Sequence, residues 1–151
     1  VASMLPASRI LDATINEFWL WHGTTHETAG ILARTGFDER MANLGGLYGA
    51  GSYFADAMCK SNQYASQSND QGEFCMLYCR VTMGAAYKTT TEHTQQRRPP
   101  LNRDDPRGAG ASFDSIFAQS GVGRKGSQVH NEFVCFRDYQ IYPEFIFRFT
   151  R

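Results

Sequence analysis

A histidine stands where the first apolar run of the sequence ends. The run Phe18–Trp21 is followed by His22, Gly23 and Thr24. A histidine at a strand end can present a ring nitrogen to a cleft, and glycine lets a planar ligand reach the main chain. The same residue can equally be a hydrogen-bonded structural histidine, so this pattern alone leaves both interpretations open.

A second candidate for chemistry is the carboxylate of Glu132, at the start of another apolar run. Its neighbours are Val134 and Phe136 on one face of a strand and Phe133 and Cys135 on the other. A charge at the mouth of a strand that is apolar on both sides is costly to bury. Either the side chain reaches solvent at the strand end, or the carboxylate has a task in a site.

The glycine-rich segment 45–51 could cradle phosphate groups, but it is not a nucleotide-binding turn of the usual kinds. It does not lead directly from a strand into a helix as a Rossmann turn does. No Lys-Ser or Lys-Thr pair stands at the spacing of a P-loop. We therefore expect no doubly wound dinucleotide fold.

The four cysteines, Cys59, Cys75, Cys79 and Cys135, lie in apolar or helical segments. This usage favours reduced thiols and an intracellular protein, nuclear or cytoplasmic, over a disulfide scaffold. Cys75 and Cys79 would lie roughly 13 Å apart on one strand, whereas two sulfurs on one tetrahedral zinc lie within about 4.6 Å. We therefore predict no metal at this pair.

Composition sets the class of protein. A chain of 151 residues that is 42% hydrophobic and 20% charged suits one globular domain. Fifteen basic residues balance fifteen acidic ones, so no overall field favours nucleic acid as a direct partner. No apolar run approaches the roughly 20 residues of a membrane span and no signal pattern opens the chain, so we expect no membrane contact and a piece of a longer protein.

The elements that must position these residues can be read from periodicity and turn residues. The N-terminal half predicts a strand over Glu17–His22, a helix capped by Thr24 or Thr25 and ended by Gly36, a loop over 38–51, a short strand at Tyr53–Phe54 and a helix from Asp56 as N-cap to Tyr64. The C-terminal half predicts a central strand over Phe74–Met83, an exposed loop over Thr89–Ala111, and strands over Val129–Phe136 and Ile141–Phe149. This order predicts an α+β fold with a split, mostly antiparallel sheet and flanking helices.

Six ordered segments carry a resemblance to a known family: Asn16–Thr24, Gly36–Arg40, Gly45–Asp56, Lys60–Tyr64, Cys79–Gly84 and Asn131–Phe133. From Asn16 to Phe149 the chain resembles the catalytic domain of poly(ADP-ribose) polymerases, which has the ADP-ribosyltransferase fold. Three segments, Gly36–Arg40, Lys60–Tyr64 and Tyr142–Phe145, are most similar to the tankyrase branch. The resemblance therefore implies an NAD+-dependent ADP-ribosyltransferase.

The resemblance also implies roles for individual residues. His22, Tyr53 and Glu132 match the family's catalytic His-Tyr-Glu triad. NAD+, the co-substrate, is implied to be bound by His22, Gly23, Thr24, Tyr48, Tyr53, Ser61 and Tyr64. Within that set, His22 matches the histidine on the adenosine-side ribose. Gly23 and Ser61 match the groups that hold the nicotinamide carboxamide, and Tyr53 and Tyr64 the aromatic rings that enclose the nicotinamide.

The implied chemistry suits these residue types. Breaking the bond between nicotinamide and ribose develops oxocarbenium character, which the Glu132 carboxylate can offset, and no metal is required. The expected partners are protein acceptors, with automodification possible, and inhibitors that mimic nicotinamide. Chain extension to poly(ADP-ribose) is the favoured product; transfer of a single unit and a non-catalytic binder of NAD+ or ADP-ribose are the alternatives.

Two departures from the tankyrase pattern add expectations. Residues 67–73 are short, polar and free of cysteine where that branch carries a zinc-binding insertion, so we expect no zinc. Only 21 residues precede His22, so we expect no helical regulatory domain. The region Thr89–Gly126, with six basic and four acidic side chains, lacks close correspondence to the family and leaves the acceptor unspecified.

Overall fold

The structure is a computed structural model that describes residues 10–120 and 130–151. Its strands are β1 Glu17–Gly23, β2 Ser52–Phe54, β3 Phe74–Thr82, β4 Ala86–Thr89, β5 Ser115–Ala118, β6 Glu132–Cys135 and β7 Ile141–Phe149, and its α-helices are α1 His26–Thr35 and α2 Met58–Asn62. Single turns of 3-10 helix lie at Ala13–Ile15, Glu39–Met41 and Asp138–Gln140. The α+β prediction is confirmed.

The first sheet consists of the three long strands in the order β1-β3-β7, all antiparallel. β3 is central, as its apolar residues on both faces predict, and Cys75 and Cys79 both lie on it and are buried. The register with β7 shifts between Tyr78 and Cys79. Cys75 and Cys79 thus lie on one strand, as the predicted distance between their sulfurs requires. Within the described ranges no group of three or more metal-ligating side chains occurs. The absence of zinc stays a prediction.

The second sheet is built from four strands of three or four residues in the order β2-β6-β5-β4. β2 and β5 pair antiparallel with β6, whereas β4 and β5 run parallel. The sequence did not predict β4 and β5, and β4 takes up Thr89, the first residue of the predicted loop. The strand predicted from Val129 begins at Glu132 in the structure; Val129 itself lies outside the described residues.

The core lies between the two sheets and joins residues from both. Leu20 and Leu77 of the first sheet share one cluster with Phe54 and Phe133 of the second. One backbone bridge links the sheets: Trp21 and Ala55 exchange N–H···O bonds of 2.8 and 3.0 Å. Because the bridge lies at the end of β1 and just after β2, it fixes the two strand ends that carry predicted site residues.

The helices follow the sequence in one case and depart from it in the other. Thr25 caps α1 by accepting a hydrogen bond from the Thr28 N–H, and Gly36, with a φ of 77°, ends it as predicted. The prediction of a helix capped by Asp56 and running to Tyr64 is wrong at both ends, because α2 spans only Met58–Asn62. Ala57 is the N-cap, and the Asp56 carboxylate instead accepts a 2.8 Å hydrogen bond from Asn131, across the chain.

Turns and a few side-chain clamps order the segment between β4 and β5. Arg107 binds Asp105 at 2.7 Å and Asp114 at 3.0 Å, and its hydrogen bonds hold the pKa of Asp105 at about 2.

No helix of the described ranges is long and apolar enough to cross a membrane.

Candidate active site

A cavity of about 820 Å³ opens between the edges of the two sheets. Six predicted site residues line it: His22, Gly23, Tyr53, Ser61, Tyr64 and Glu132. They come from β1, β2, α2, the turn after α2 and β6, so the fold collects them from positions up to 110 residues apart in the sequence, from 22 to 132.

Gly23 lies at the closest approach between β1 and α2. A Cβ added there would overlap the carbonyl oxygen of Ser61 and lie 3.0 Å from the Cβ of Tyr64. The glycine is therefore required by the packing of α2, which carries Ser61, and of the turn after it, which carries Tyr64. Its backbone also stays uncovered by a side chain on the cavity wall, which suits binding of a planar ligand to the main chain.

The Ser61 hydroxyl is already used within the protein. It donates a 2.9 Å hydrogen bond to the carbonyl of Trp21, which also accepts from the Ala55 N–H at 3.0 Å. When the Ser61 hydroxyl rotates, it can donate its hydrogen bond to a ligand carbonyl instead. The Trp21 carbonyl is not left without a partner, because it keeps the hydrogen bond from the Ala55 N–H. Ser61 thus ties α2 to the bridge between the sheets and can still serve a ligand.

His22 is held in one tautomer by the neighbouring strand. Its Nδ1 lies 2.8 Å from the carbonyl oxygen of Tyr53, which can only accept, so Nδ1 carries the hydrogen. Burial lowers the pKa of His22, partly offset by that hydrogen bond, and the ring is neutral at pH 7. Nε2 is then an acceptor, suited to a ligand hydroxyl group.

Tyr53 organises the glycine-rich segment. Its hydroxyl accepts from the Tyr48 N–H at 2.9 Å and donates to the Gly49 carbonyl at 2.8 Å. A Cβ on Gly46 would overlap that hydroxyl, so glycine is needed for the loop to close over the ring. Burial raises the pKa of the Tyr53 phenol, which stays a protonated donor, and the charge of Glu132 adds to the effect.

Glu132 is buried at the start of β6, with 3% of its surface exposed. Its Oε1 lies 3.3 Å from the Nζ of Lys60, another residue of the cavity wall. A buried carboxylate needs such a partner, because an unpaired charge in the interior costs several kcal/mol or more. The first alternative for Glu132, a side chain that reaches solvent, is thereby excluded.

Sequence reasoning did not identify Lys60. It precedes Ser61 on α2 and lies four residues before Tyr64, the spacing at which helical side chains meet. Its ammonium lies 5.5 Å from the centre of the Tyr64 ring, and that ring is half exposed at the cavity mouth. The sequence held no direct signal for this ion pair, because it left the burial of Glu132 open.

Two predicted site residues lie elsewhere. The Tyr48 side chain is fully buried in a cluster with Ile116, Val134 and Phe136, and only its backbone N–H reaches the site, through Tyr53. Thr24 is not among the described residues that line the cavity. The structure thus does not bring these two side chains to the cavity with the other six.

Beyond these residues, the cavity continues along α1 and the segment after it. Its wall there includes Thr28, Ile31, Leu32, Thr35, Phe37, Asp38, Met41 and Asn43. Hydrogen bonds from Arg40 hold the pKa of Asp38 at about 2, so the carboxylate stays ionised and paired with the Arg40 guanidinium at 2.7 Å. The mixture of apolar and polar groups gives the cavity the length and lining that an extended ligand needs.

The sequence from residue 7 to residue 151 matches the model of the poly(ADP-ribose) polymerase catalytic domain. The chain belongs to this family. The matched region is therefore a catalytic domain of this ADP-ribosyltransferase family. In this fold, the residues that the resemblance matches to the family's triad lie on three strands: His22 on β1, Tyr53 on β2 and Glu132 on β6.

Individual relatives are similar over most of the chain. The protein mono-ADP-ribosyltransferase PARP12 of Mus musculus is 28% identical over 137 residues, and PARP14 of Homo sapiens, of the same description, is 30% identical over 142. These alignments cover 90% and 91% of the chain but only 17% and 7% of the relatives. Poly [ADP-ribose] polymerase 1 of Oryza sativa is 30% identical over 120 residues, 74% of the chain and 12% of that protein.

Proposed function

We propose that this domain binds NAD+ in the cavity between the sheets, transfers ADP-ribose to protein acceptors with release of nicotinamide, and extends the product into poly(ADP-ribose). One observation carries the proposal: a buried carboxylate, Glu132, is held by Lys60 at 3.3 Å in the same cavity as His22 and Tyr53.

The nicotinamide end of NAD+ is proposed to lie where β1 meets α2. The backbone of Gly23 and the hydroxyl of Ser61 would hold the carboxamide, and Tyr53 and Tyr64 would enclose the ring. Nε2 of His22 would accept a hydrogen bond from the adenosine-side ribose. Support comes from the presence of these groups on one cavity wall and from the acceptor state of His22.

Glu132 is proposed to act where positive charge develops. As the glycosidic bond breaks, the ribose gains oxocarbenium character, and a fixed carboxylate in a site screened from water stabilises it strongly. Lys60 keeps the carboxylate in place before the substrate binds, so little reorganisation is needed during the reaction. In chain growth the same carboxylate would orient the attacking ribose hydroxyl.

The length of the product is the finer part of the proposal. Glu132 favours chain extension, because in the family the glutamate of the triad accompanies polymer formation. Transfer of a single unit is the second candidate, favoured by the names of the PARP12 and PARP14 relatives. The three tankyrase-like segments support our proposal of that branch, although none of the relatives reported above is described as a tankyrase.

The experiment is incubation with NAD+ labelled on the adenylate, followed by gel separation over a range of NAD+ concentrations. We expect label on protein as a ladder in the wild type and no ladder in Glu132→Gln. A single discrete adduct at every NAD+ concentration would replace polymerase by mono-transferase. Binding of NAD+ with no label on any acceptor would contradict transfer itself and favour a binding module.

A further inference from the structure

A cysteine and a histidine meet beside the cavity, outside its wall. Sγ of Cys59, an exposed residue of α2, lies 3.7 Å from Nε2 of His130, two residues before Glu132. We infer that Cys59 and His130 form a nucleophilic thiol pair that reacts with small-molecule disulfides, and that modification at Cys59 disturbs the position of Glu132.

Cys59 differs from the other thiols of the chain in access. Cys75, Cys79 and Cys135 are each at most 1% exposed. Burial raises the pKa of each of these three thiols, which disfavours the reactive thiolate. Cys59 alone among the four is open to a reagent in the folded protein.

The histidine supplies the second half of the pair. A thiol becomes a strong nucleophile when an adjacent base takes its proton, and imidazole within hydrogen-bonding distance is the usual base. In exchange with a disulfide, His130 Nε2 accepts the Cys59 proton and the sulfur attacks one sulfur of the disulfide. A new S–S bond forms, the old one breaks, and the departing thiolate takes up the proton.

The same stretch of chain connects this pair to the catalytic carboxylate. Three consecutive residues each contact α2 or the turn before it: His130 binds Cys59 at 3.7 Å, Asn131 binds Asp56 at 2.8 Å and Glu132 binds Lys60 at 3.3 Å. A group attached to the Cys59 sulfur replaces the thiol hydrogen, so the thiol can no longer donate to His130 Nε2. We therefore expect the adduct to loosen the other two contacts, including the one that holds Glu132.

The pair is tested first by labelling, which does not depend on the proposed function. Iodoacetamide and glutathione disulfide are applied separately to the folded protein, and adducts are followed by intact mass and peptide mapping. We expect one adduct, at Cys59, and a rate at least about tenfold lower in His130→Gln. His26→Gln, which changes a histidine of α1, is the matched control and should label at the wild-type rate.

Two results would overturn the pair. Equal labelling rates in the wild type and His130→Gln would show a merely exposed cysteine, provided that both proteins melt at similar temperatures. If Cys75, Cys79 or Cys135 is labelled before Cys59, the assignment of Cys59 as the reactive thiol is wrong. If His130→Gln does not fold, His130→Asn takes its place, with the same expectation.

The link to Glu132 is read in two ways. Glutathione bound at Cys59 should speed hydrogen exchange of the amides of 130–135, a readout independent of enzymatic activity. Resting on the proposed function, it should also lower label transfer from NAD+ at least fivefold, reversibly with dithiothreitol, and leave treated Cys59→Ser unchanged. Unchanged hydrogen exchange in residues 130–135 after glutathionylation would overturn the link to Glu132, whether or not the protein transfers label from NAD+. If hydrogen exchange changes but the untreated protein transfers no label, the proposed function fails and the link stands.

Discussion

The two sheets differ in how they are held together and in what they contribute to the site. The first is built from strands of seven and nine residues with antiparallel pairing that one register shift between β3 and β7 interrupts. The second consists of strands of three and four residues, and all four residues of β6 are buried. Gly23 and His22 stand at the end of a long strand, whereas Tyr53 and Glu132 belong to the short ones.

This difference separates two tasks. At the nicotinamide end of the proposed ligand, the first sheet presents the backbone of Gly23, and α2 with the turn after it presents Ser61 and Tyr64. The second sheet adds the ring of Tyr53. The second sheet holds the carboxylate of Glu132 in a buried place where a charge is costly and effective. We therefore expect changes at Gly23 and Tyr64 to cost binding, and loss of the Glu132 charge to cost transfer.

The largest expected effect tests the second sheet. Glu132→Gln keeps the size of the side chain but removes the charge, so label transfer from NAD+ should fall roughly a hundredfold or more. The affinity for NAD+, measured by calorimetry, should stay within about threefold of the wild type. A matched loss of binding and transfer would contradict the separation of tasks.

Gly23→Ala tests the first sheet. The new methyl group would overlap the Ser61 carbonyl, and overpacking of this kind costs about 1–3 kcal/mol. We expect a lower melting temperature and loss of binding of a nicotinamide analogue. Gly30→Ala is the control, because a Cβ on this glycine of α1 would meet only the end of Arg34 at 3.5 Å; it should leave binding unchanged.

Tyr64→Ala removes a ring from the same side of the cavity. An aromatic contact is worth on the order of 1 kcal/mol, so the affinity for a nicotinamide analogue should fall about fivefold or more. Tyr139, which is 83% exposed in a turn away from this cavity, gives the control Tyr139→Ala. Equal affinities of the two variants for the analogue would remove Tyr64 from the proposed pocket.

The smallest effect concerns pH. Burial lowers the pKa of His22 in the folded state, so below about pH 6.5 the unfolded chain binds a proton that the folded chain does not. The free energy of unfolding should therefore fall as the pH drops from about 6.5 toward the lowered pKa of His22. Above about pH 6.5 the contribution of the neutral His22 should be fully present. Urea unfolding of His22→Gln should show a weaker fall than the wild type; identical slopes would contradict a neutral His22.

How much the sequence predicts follows the same division. β1, β3, β7 and α1 are long or well capped, so apolar runs and the Thr25 and Gly36 signals were sufficient. β4 and β5 were missed because each has only four residues and their partners are distant in sequence. Local pattern carries little information about such pairing.

Within the site, residue types predicted more than their contacts did. The resemblance predicted six residues that the fold then places in one cavity. Lys60 was missed because its role depends on the burial of Glu132, which only the fold reveals. Tyr48 was included for its place in the glycine-rich segment, yet its side chain fills the core. Asp56 has a helix-capping residue type but is engaged by Asn131 from across the chain.

The central claim is that the cavity between the sheets receives the nicotinamide end of NAD+. A crystal structure with a nicotinamide analogue that keeps the carboxamide tests it most directly. We predict the ring between Tyr53 and Tyr64, with the carboxamide bonded to the backbone of Gly23 and to the Ser61 hydroxyl. A ring bound outside this cavity, or inside it with the carboxamide away from Gly23, would contradict the account.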